Sequence, residues 1–240
     1  MRIAFSGTGN SGKTTLVKSF LYTWDNYITP KKTYREVLQE ENLPHSSNTT
    51  TDTQEKILNF MIDQVQSADK DSNIIYDRCP LDNIVYSLWC NEKKIDGFSN
   101  SYIQEQIELM KESMRFLDII FLCRFDESQS IEDDGVRDID KNFITEIDNI
   151  FHSMYLQYSQ NPESDVFFPK GDSPCIIELP HKGQERIDLI QQYITAEGGM
   201  YGDDESIFNN IDELEQLVTQ QKMALDQEEK ERELYKKFGL

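Results

Sequence analysis

One stretch near the start of the chain restricts its fold more than any other. Gly7-Thr8-Gly9-Asn10-Ser11-Gly12-Lys13-Thr14 has the spacing G-x-x-x-x-G-K-[ST], directly behind the apolar run Ile3-Ala4-Phe5 and ahead of a helical pattern at Leu16, Val17, Phe20 and Leu21. Glycines let the backbone turn its N–H groups inward, at dihedrals other residues resist. The helix that follows contributes its positive N-terminal end, which makes the loop a preformed phosphate cradle. Lys13 then reaches the β- and γ-phosphates as a point charge, and the Thr14 hydroxyl sits on Mg²⁺. Gly7, Gly9, Asn10, Ser11, Gly12 and Thr15 complete the candidate nucleotide site. The expectation is a chain that binds a nucleoside triphosphate.

Strand and helix patterns alternate through the rest of the chain. Residues 2–6 read as a central parallel strand and 13–24 as its helix. Tyr27-Ile28-Thr29-Pro30 is a short extended piece ended by proline, and a helix is expected from about Tyr34 to Glu41. Thr53 or Asp52 is the expected cap of the next helix, with a face of Ile57, Phe60, Met61 and Val65. Apolar runs at 74–76, 118–123 and 175–179 read as buried strands, with helices after Pro80, over 101–116, through Phe143 to Leu156, and over 183–196. This predicts an α/β fold: a doubly wound, mostly parallel sheet of about five strands in a domain over 1–197. Gly198-Gly199-Met200-Tyr201-Gly202 reads as a hinge into an acidic helical extension over 198–240, whose Ile207, Ile211, Leu214, Val218 and Leu225 recur at helical spacing. That helix either packs back on the domain or pairs with a second copy into a homo-oligomer.

Charge narrows the partners. The net charge of −20 repels phosphate backbones and anionic membranes, which disfavours nucleic acid and lipid as ligands. No apolar run is long enough to span a bilayer, and the N-terminus enters a strand at once, leaving no room for a signal peptide. Four scattered cysteines, two of them (Cys123 and Cys175) in expected buried strands, read as free thiols in a reducing cytoplasm. The histidines His45, His152 and His181 are isolated, and His152 reads as a packing residue of its helix.

Three further constellations carry chemistry. Asp77-Arg78 closes the strand after Ile74-Ile75, at the sheet edge where open α/β folds bind ligands. There Asp77 holds Mg²⁺ or takes a proton from an attacking hydroxyl, and Arg78 bridges donor and acceptor phosphates. Arg137, beside Asp134-Gly135 in an acidic loop over about 124–140, suits a lid that clamps a triphosphate on closure. Tyr34-Arg35-Glu36 with Gln54 forms the candidate acceptor site. Tyr34 stacks on a base, Arg35 binds a phosphate or sugar, Gln54 reads a base edge, and Glu36 rivals Asp77 as general base.

On GTGNSGKTT at Gly7–Thr15, YREV at Tyr34–Val37, Gln54, DRCPLDNIVY at Asp77–Tyr86 and DDGVRD at Asp133–Asp138, the chain resembles the P-loop nucleoside and nucleotide kinases over about its first 195 residues. The resemblance leans to the nicotinamide-riboside-kinase-like branch, which also occurs in viruses and phages, where the location would be the host cytoplasm. Deoxynucleoside kinases usually carry Glu-Arg-Ser where this chain has Asp77-Arg78-Cys79. The resemblance implies ATP in the phosphate loop at Lys13 and Thr14, Asp77 and Arg78 at the reaction centre, and Arg137 from the lid. The expected activity is transfer of the γ-phosphoryl group of ATP, with Mg²⁺, to a nucleoside or nucleoside monophosphate. A kinase acting on a modified base in DNA, and a nucleotide-gated switch with the C-terminal helix as its partner-binding element, are the alternatives.

Overall fold

The structure is a computed structural model, and the residues described are 1–128, 131, 139–161, 164–181 and 183–201. The chain divides into two compact units, Met1–Gly199 and Met200–Leu240. The lid expectation at Arg137 and the helix expected after Gly202 lie outside the described residues.

The first unit is built on β1 (Arg2–Ser6), β2 (Ile74–Asp77), β3 (Ile119–Cys123) and β4 (Cys175–Leu179). They form one parallel sheet in the order β2-β1-β3-β4, with Phe5 level with Asp77 on one side and with Phe121 on the other. Helices α1 (Lys13–Thr23), α2 (Tyr34–Glu40), α3 (Thr51–Ser67), α4 (Pro80–Glu92), α5 (Asn100–Ser113), α6 (Lys141–Gln160) and α7 (Gly183–Ile190) supply the crossovers. Side chains alternate across each strand, so the sheet has two apolar faces to cover. Phe5 meets Phe20 of α1 and Phe121 of β3 in ring contacts, and α1 packs with α7 on that side. Ala4, Ile120 and Leu122 join Ile84, Met110 and Ile147 in the larger core, which α4, α5 and α6 enclose.

The sheet is the doubly wound parallel one expected, with four strands among the described residues instead of about five. The short extended piece at Tyr27–Pro30 makes a single parallel bridge, Ile28 to Ile74. Ile28 N–H donates to the Asn73 carbonyl at 2.9 Å, and its own carbonyl accepts from Ile75 N–H at 2.9 Å. Two residues later Pro30 has no N–H to give, and pairing stops.

Other local expectations shift for physical reasons. Helix α3 begins before the expected cap: Thr50, in extended backbone, accepts from Thr53 N–H, while Thr53 itself is fully buried. Helix α7 ends at Ile190, and residues 195–199 form a turn closed by Thr195 N–H on the Gly199 carbonyl at 2.7 Å. Trp24 Nε1–H and Tyr27 O–H donate to the Thr195 and Gly198 carbonyls, tying that turn to the end of α1. Cys175 is the first residue of β4, the edge strand among the described residues, and is exposed, against the expectation of burial, while Ile177 and Leu179 farther along the strand are buried. All four cysteines are free. His152 is half-exposed and its Nδ1 lies 2.8 Å from Glu178, a polar contact in place of the expected packing role. Among the described residues no helix is long and apolar enough to cross a membrane.

The reassigned cap gives a first prediction. Thr50→Ala removes the acceptor for an otherwise unpaired N–H of the first turn of α3 and lowers stability by about 1 kcal/mol. The urea midpoint should fall without a change in the slope of the transition.

Candidate active site

All four strands run parallel, so Ser6, Asp77 and Cys123 end on one edge of the sheet, and the phosphate loop leaves β1 there. Gly7 is obligatory at its position. With φ of 138°, it lies so close to β3 that a Cβ would come within 2.3 Å of the Cys123 carbonyl oxygen. Asn10 (φ 58°) and Gly12 (φ 80°) are in the left-handed region, and the loop closes into α1 with Leu16 N–H on the Gly12 carbonyl. Lys13 folds back across the loop, donating to the carbonyls of Gly7 (2.7 Å) and Thr8 and to Ser11 Oγ (3.0 Å). Burial first, and the nearby Arg78 charge second, push its ammonium down to about 7. Gly9 borders the cavity beside the loop, while Thr15 is exposed on the outer side of α1.

Asp77 and Arg78 face this same loop. The Thr14 hydroxyl donates to Asp77 Oδ2 at 2.7 Å, and Asp77 Oδ1 is buried with no hydrogen-bond partner among the described residues. Arg78 takes a φ of 87°, a conformation that costs about 1–3 kcal/mol in a non-glycine residue. Its N–H donates to the Phe5 carbonyl at 3.0 Å, and its guanidinium donates to the Gly7 carbonyl (3.2 Å), Asp82 (3.1 Å) and the Tyr86 hydroxyl (3.1 Å). Arg78 is therefore locked against the start of the phosphate loop, with its guanidinium over the rings of both Tyr34 and Tyr86.

Asp82 is the functional residue the sequence reading left unassigned. It is fully buried, and its two oxygens accept from Ser6 O–H (2.6 Å), Gly7 N–H (3.1 Å), Cys79 N–H (3.0 Å) and Arg78 (3.1 Å). The signal was present: an acid three residues after Cys79, with proline opening the helix, is a capping-box position. Asn83 was also missed. Its Nδ2 donates to the Gln54 backbone carbonyl (3.0 Å) and to Gln54 Oε1 (2.6 Å), while Gln54 Nε2 donates to Thr49 Oγ1 (2.8 Å). Because Nδ2 has two acceptors, the orientation of the amide is fixed, and Asn83 Oδ1 is left buried without a donor among the described residues.

A cavity of about 240 Å³ opens beside the loop, with Tyr34, Leu38, Ile57, Asn83, Tyr86 and Phe143 among its walls. Arg35 and Gln54 also line it. A second, of about 260 Å³, touches Thr14 and Asp77 and shares Tyr34, Met61 and Arg78 with the first. Tyr34 and Arg35 thus both line the first cavity, and Arg35 lies 5.5 Å from the Tyr34 ring centroid. Glu36 does not join them. Its carboxylate accepts from Thr33 N–H (2.6 Å) and O–H (3.0 Å), which holds it below the usual carboxylate range and commits it to capping α2.

A second prediction follows from the Asp82 contacts. Asp82→Ala leaves the buried Arg78 charge and two backbone donors unmatched, and costs about 3–5 kcal/mol of stability. Urea denaturation of the parent and variant measures it.

An AAA domain family profile matches residues 2–162. No curated protein sequence matches the chain. Among solved structures, a deoxyadenosine kinase from M. mycoides with products dCMP and dCDP bound is 16% identical, with a TM-score of 0.56 over 80% of this chain and 97% of that one. The same enzyme with dATP bound gives 18% and 0.54 over the same shares. The NadR protein in complex with NR is 16% identical with a TM-score of 0.56, and the match covers 80% of this chain but 51% of NadR. These likenesses show a fold shared with that deoxyadenosine kinase and with NadR. With two thirds of its length matched by the profile, the chain belongs to the AAA domain family.

Proposed function

We propose that this protein transfers the γ-phosphoryl group of ATP to a nucleoside or nucleoside monophosphate. One observation carries the reading. The hydrogen bonds from Thr14 to Asp77 and from Arg78 to Gly7 bring the strand-tip acid and arginine into the cleft of the phosphate loop, beside a cavity with an aromatic wall and an amide floor. Structures of similar fold come from a deoxyadenosine kinase with dCMP and dCDP bound and from NadR in complex with NR.

In this reading the loop amides and Lys13 hold the triphosphate and stabilise charge that develops on the transferred group. The acceptor base lies against Tyr34. Its edge meets the unpartnered Asn83 Oδ1 and the Gln54 amide, one acceptor beside one donor. Arg35 binds the acceptor's phosphate or sugar. The reactive end of the acceptor passes Arg78, on the wall shared by the two cavities, toward Asp77. Asp77 orients the attacking oxygen and accepts its proton, and Arg78 offsets charge between donor and acceptor. Glu36, engaged as a cap, is not needed as a base. Arg137 keeps the lid role that its position in the acidic loop suggested.

Mg²⁺ fits the residues present. Asp77 Oδ1 is a buried oxygen with no donor, next to the Thr14 hydroxyl, and both are the hard ligands this ion takes. Thr14 and Asp77 would hold it, and when bound it neutralises charge on the terminal phosphates.

The test is a panel of nucleosides and nucleoside monophosphates incubated with labelled ATP and Mg²⁺. Label is expected on one class of acceptor; release of phosphate to water alone, whatever the acceptor, would favour the nucleotide-gated switch. Lys13→Ala should lower the rate by several orders of magnitude, and Arg78→Ala by about 10²–10³, by analogy with loss of one transition-state donor. Asp77→Asn separates that residue's two roles: activity recovered at raised Mg²⁺ marks the metal contact, and activity lost at every Mg²⁺ level marks the proton acceptor. Turnover equal to the parent in the Lys13 variant would refute the assignment.

A further inference from the structure

Arg186 is 4% exposed, on the second turn of α7, outside the stretch that the family profile matches. A guanidinium keeps its charge at any pH a protein meets, and burying such a charge is costly unless it is matched. Here its partners among the described residues are three backbone carbonyls and no carboxylate. Nε donates to Pro180 at 2.7 Å, Nη1 to Ser11 at 2.6 Å and Nη2 to Arg124 at 3.1 Å. The three acceptors belong to the end of β4, the phosphate loop and the end of β3.

The Ser11 contact matters because the carbonyl of Ser11 and the N–H of Gly12 belong to one peptide unit. In a planar trans peptide the C=O and N–H point in opposite directions. Holding the Ser11 carbonyl against Arg186 therefore turns the Gly12 N–H to the side away from that guanidinium. The same logic can be checked at Arg124. Its carbonyl is held by Arg186, and the N–H of that peptide, on Phe125, points away to Asp148 Oδ1 at 2.9 Å. Arg186 also lies directly against Gly12, where an added Cβ would stand 3.2 Å from Nη1. A hydrogen bond from a cation to a carbonyl polarises the peptide unit and strengthens its N–H as a donor.

We propose that Arg186 is a positioning residue of the phosphate loop: it aims and polarises the Gly12 N–H and places an unmatched positive charge behind the site where a polyphosphate binds. The residue acts through Ser11, without touching the phosphates. This rests on the reading of the loop as a polyphosphate site, and it adds to that reading a third buried cation beside Lys13 and Arg78.

The test uses the full chain and two probes, ATP and inorganic tripolyphosphate, with binding followed by calorimetry. Arg186→Gln keeps a hydrogen-bond donor and removes the charge; Arg186→Lys keeps the charge and loses the three-pronged geometry. Both variants should bind ATP and tripolyphosphate about tenfold or more weakly, with Gln the worse of the two. In steady state, KM for ATP should rise and kcat fall while KM for the acceptor stays at the parent value. A merely structural role would instead move both KM values together, and that outcome overturns the proposal. Parent-like affinity for tripolyphosphate in Arg186→Gln overturns it while leaving the kinase reading intact. Failure of the parent protein to bind either probe overturns both. Should Arg186→Gln not fold, the Arg186→Lys affinities decide, since parent-like binding of both probes by that variant also overturns the proposal.

Discussion

The buried Asp82 carboxylate is the contact on which the site's geometry depends. It gathers donors from the end of β1, the first residue of the phosphate loop, the tip of β2 and the start of α4. Ser6 and Gly7 lie 76 and 75 residues from Asp82 in sequence, and the carboxylate reinforces the β1–β2 pairing that already sets these segments side by side. A carboxylate has room for about four such bonds, and all are used. One consequence is that Arg78 can hold a left-handed backbone conformation, since its guanidinium and its backbone N–H are both anchored. Another is that Gly7, pressed against the Cys123 carbonyl, is held from both sides. The loop is thus built as part of the sheet edge and not as an appendage to it.

In the proposed function, acceptor recognition rests on a different kind of contact. Tyr34 belongs partly to a small apolar cluster with Leu38, Ile57 and Met61, set apart from the main core. It therefore presents its ring to the cavity while its position is fixed by packing. The Gln54–Asn83 pair joins α3 to α4 at the cavity floor and uses both N–H groups of the Asn83 amide and one N–H and the oxygen of the Gln54 amide. Of what is left over, the Asn83 carbonyl oxygen is buried and has no donor among the described residues. Buried acceptors of this kind discriminate strongly, because a ligand lacking the matching N–H leaves them unpaired.

Much of this was legible in the sequence, and what was not has physical reasons. The strands at 2–6, 74–77, 119–123 and 175–179 are near-continuous apolar runs because a parallel sheet is covered on both faces. The phosphate loop reads clearly because its function depends on local backbone geometry. Asp82 left a trace as the N3 acid of a helix start, but a cap and a structural node look alike in one dimension. Arg186 left none. It stands in an amphipathic helix beside Ile187 and Ile190, and only the fold brings it to Ser11. Glu36 shows the reverse failure: a carboxylate near a basic knot resembles a catalytic base, yet the first turn of α2 supplies nearer donors.

The charge of the whole chain and the charge of the site point in opposite directions, and the structure reconciles them by burial. At −20 the surface repels anions at long range, but screening limits that repulsion to about a Debye length. At the loop, Lys13, Arg78 and Arg186 are each less than a tenth exposed and each donates to a loop carbonyl. Of the acids beside them, Asp82 is saturated and Asp77 keeps one oxygen open. Low local polarisability makes the charges there count for more than the numerous exposed carboxylates. Each carbonyl held by a cation also turns the N–H of its peptide away from that cation, so the loop sorts its dipoles as well as its charges. A short, highly charged ligand that fits inside the loop experiences this local field, whereas an extended polyanion such as a nucleic acid must also lie across the acidic surface. The same composition that disfavours nucleic acid is therefore compatible with a nucleotide, because the two differ in how much of the surface they must cover.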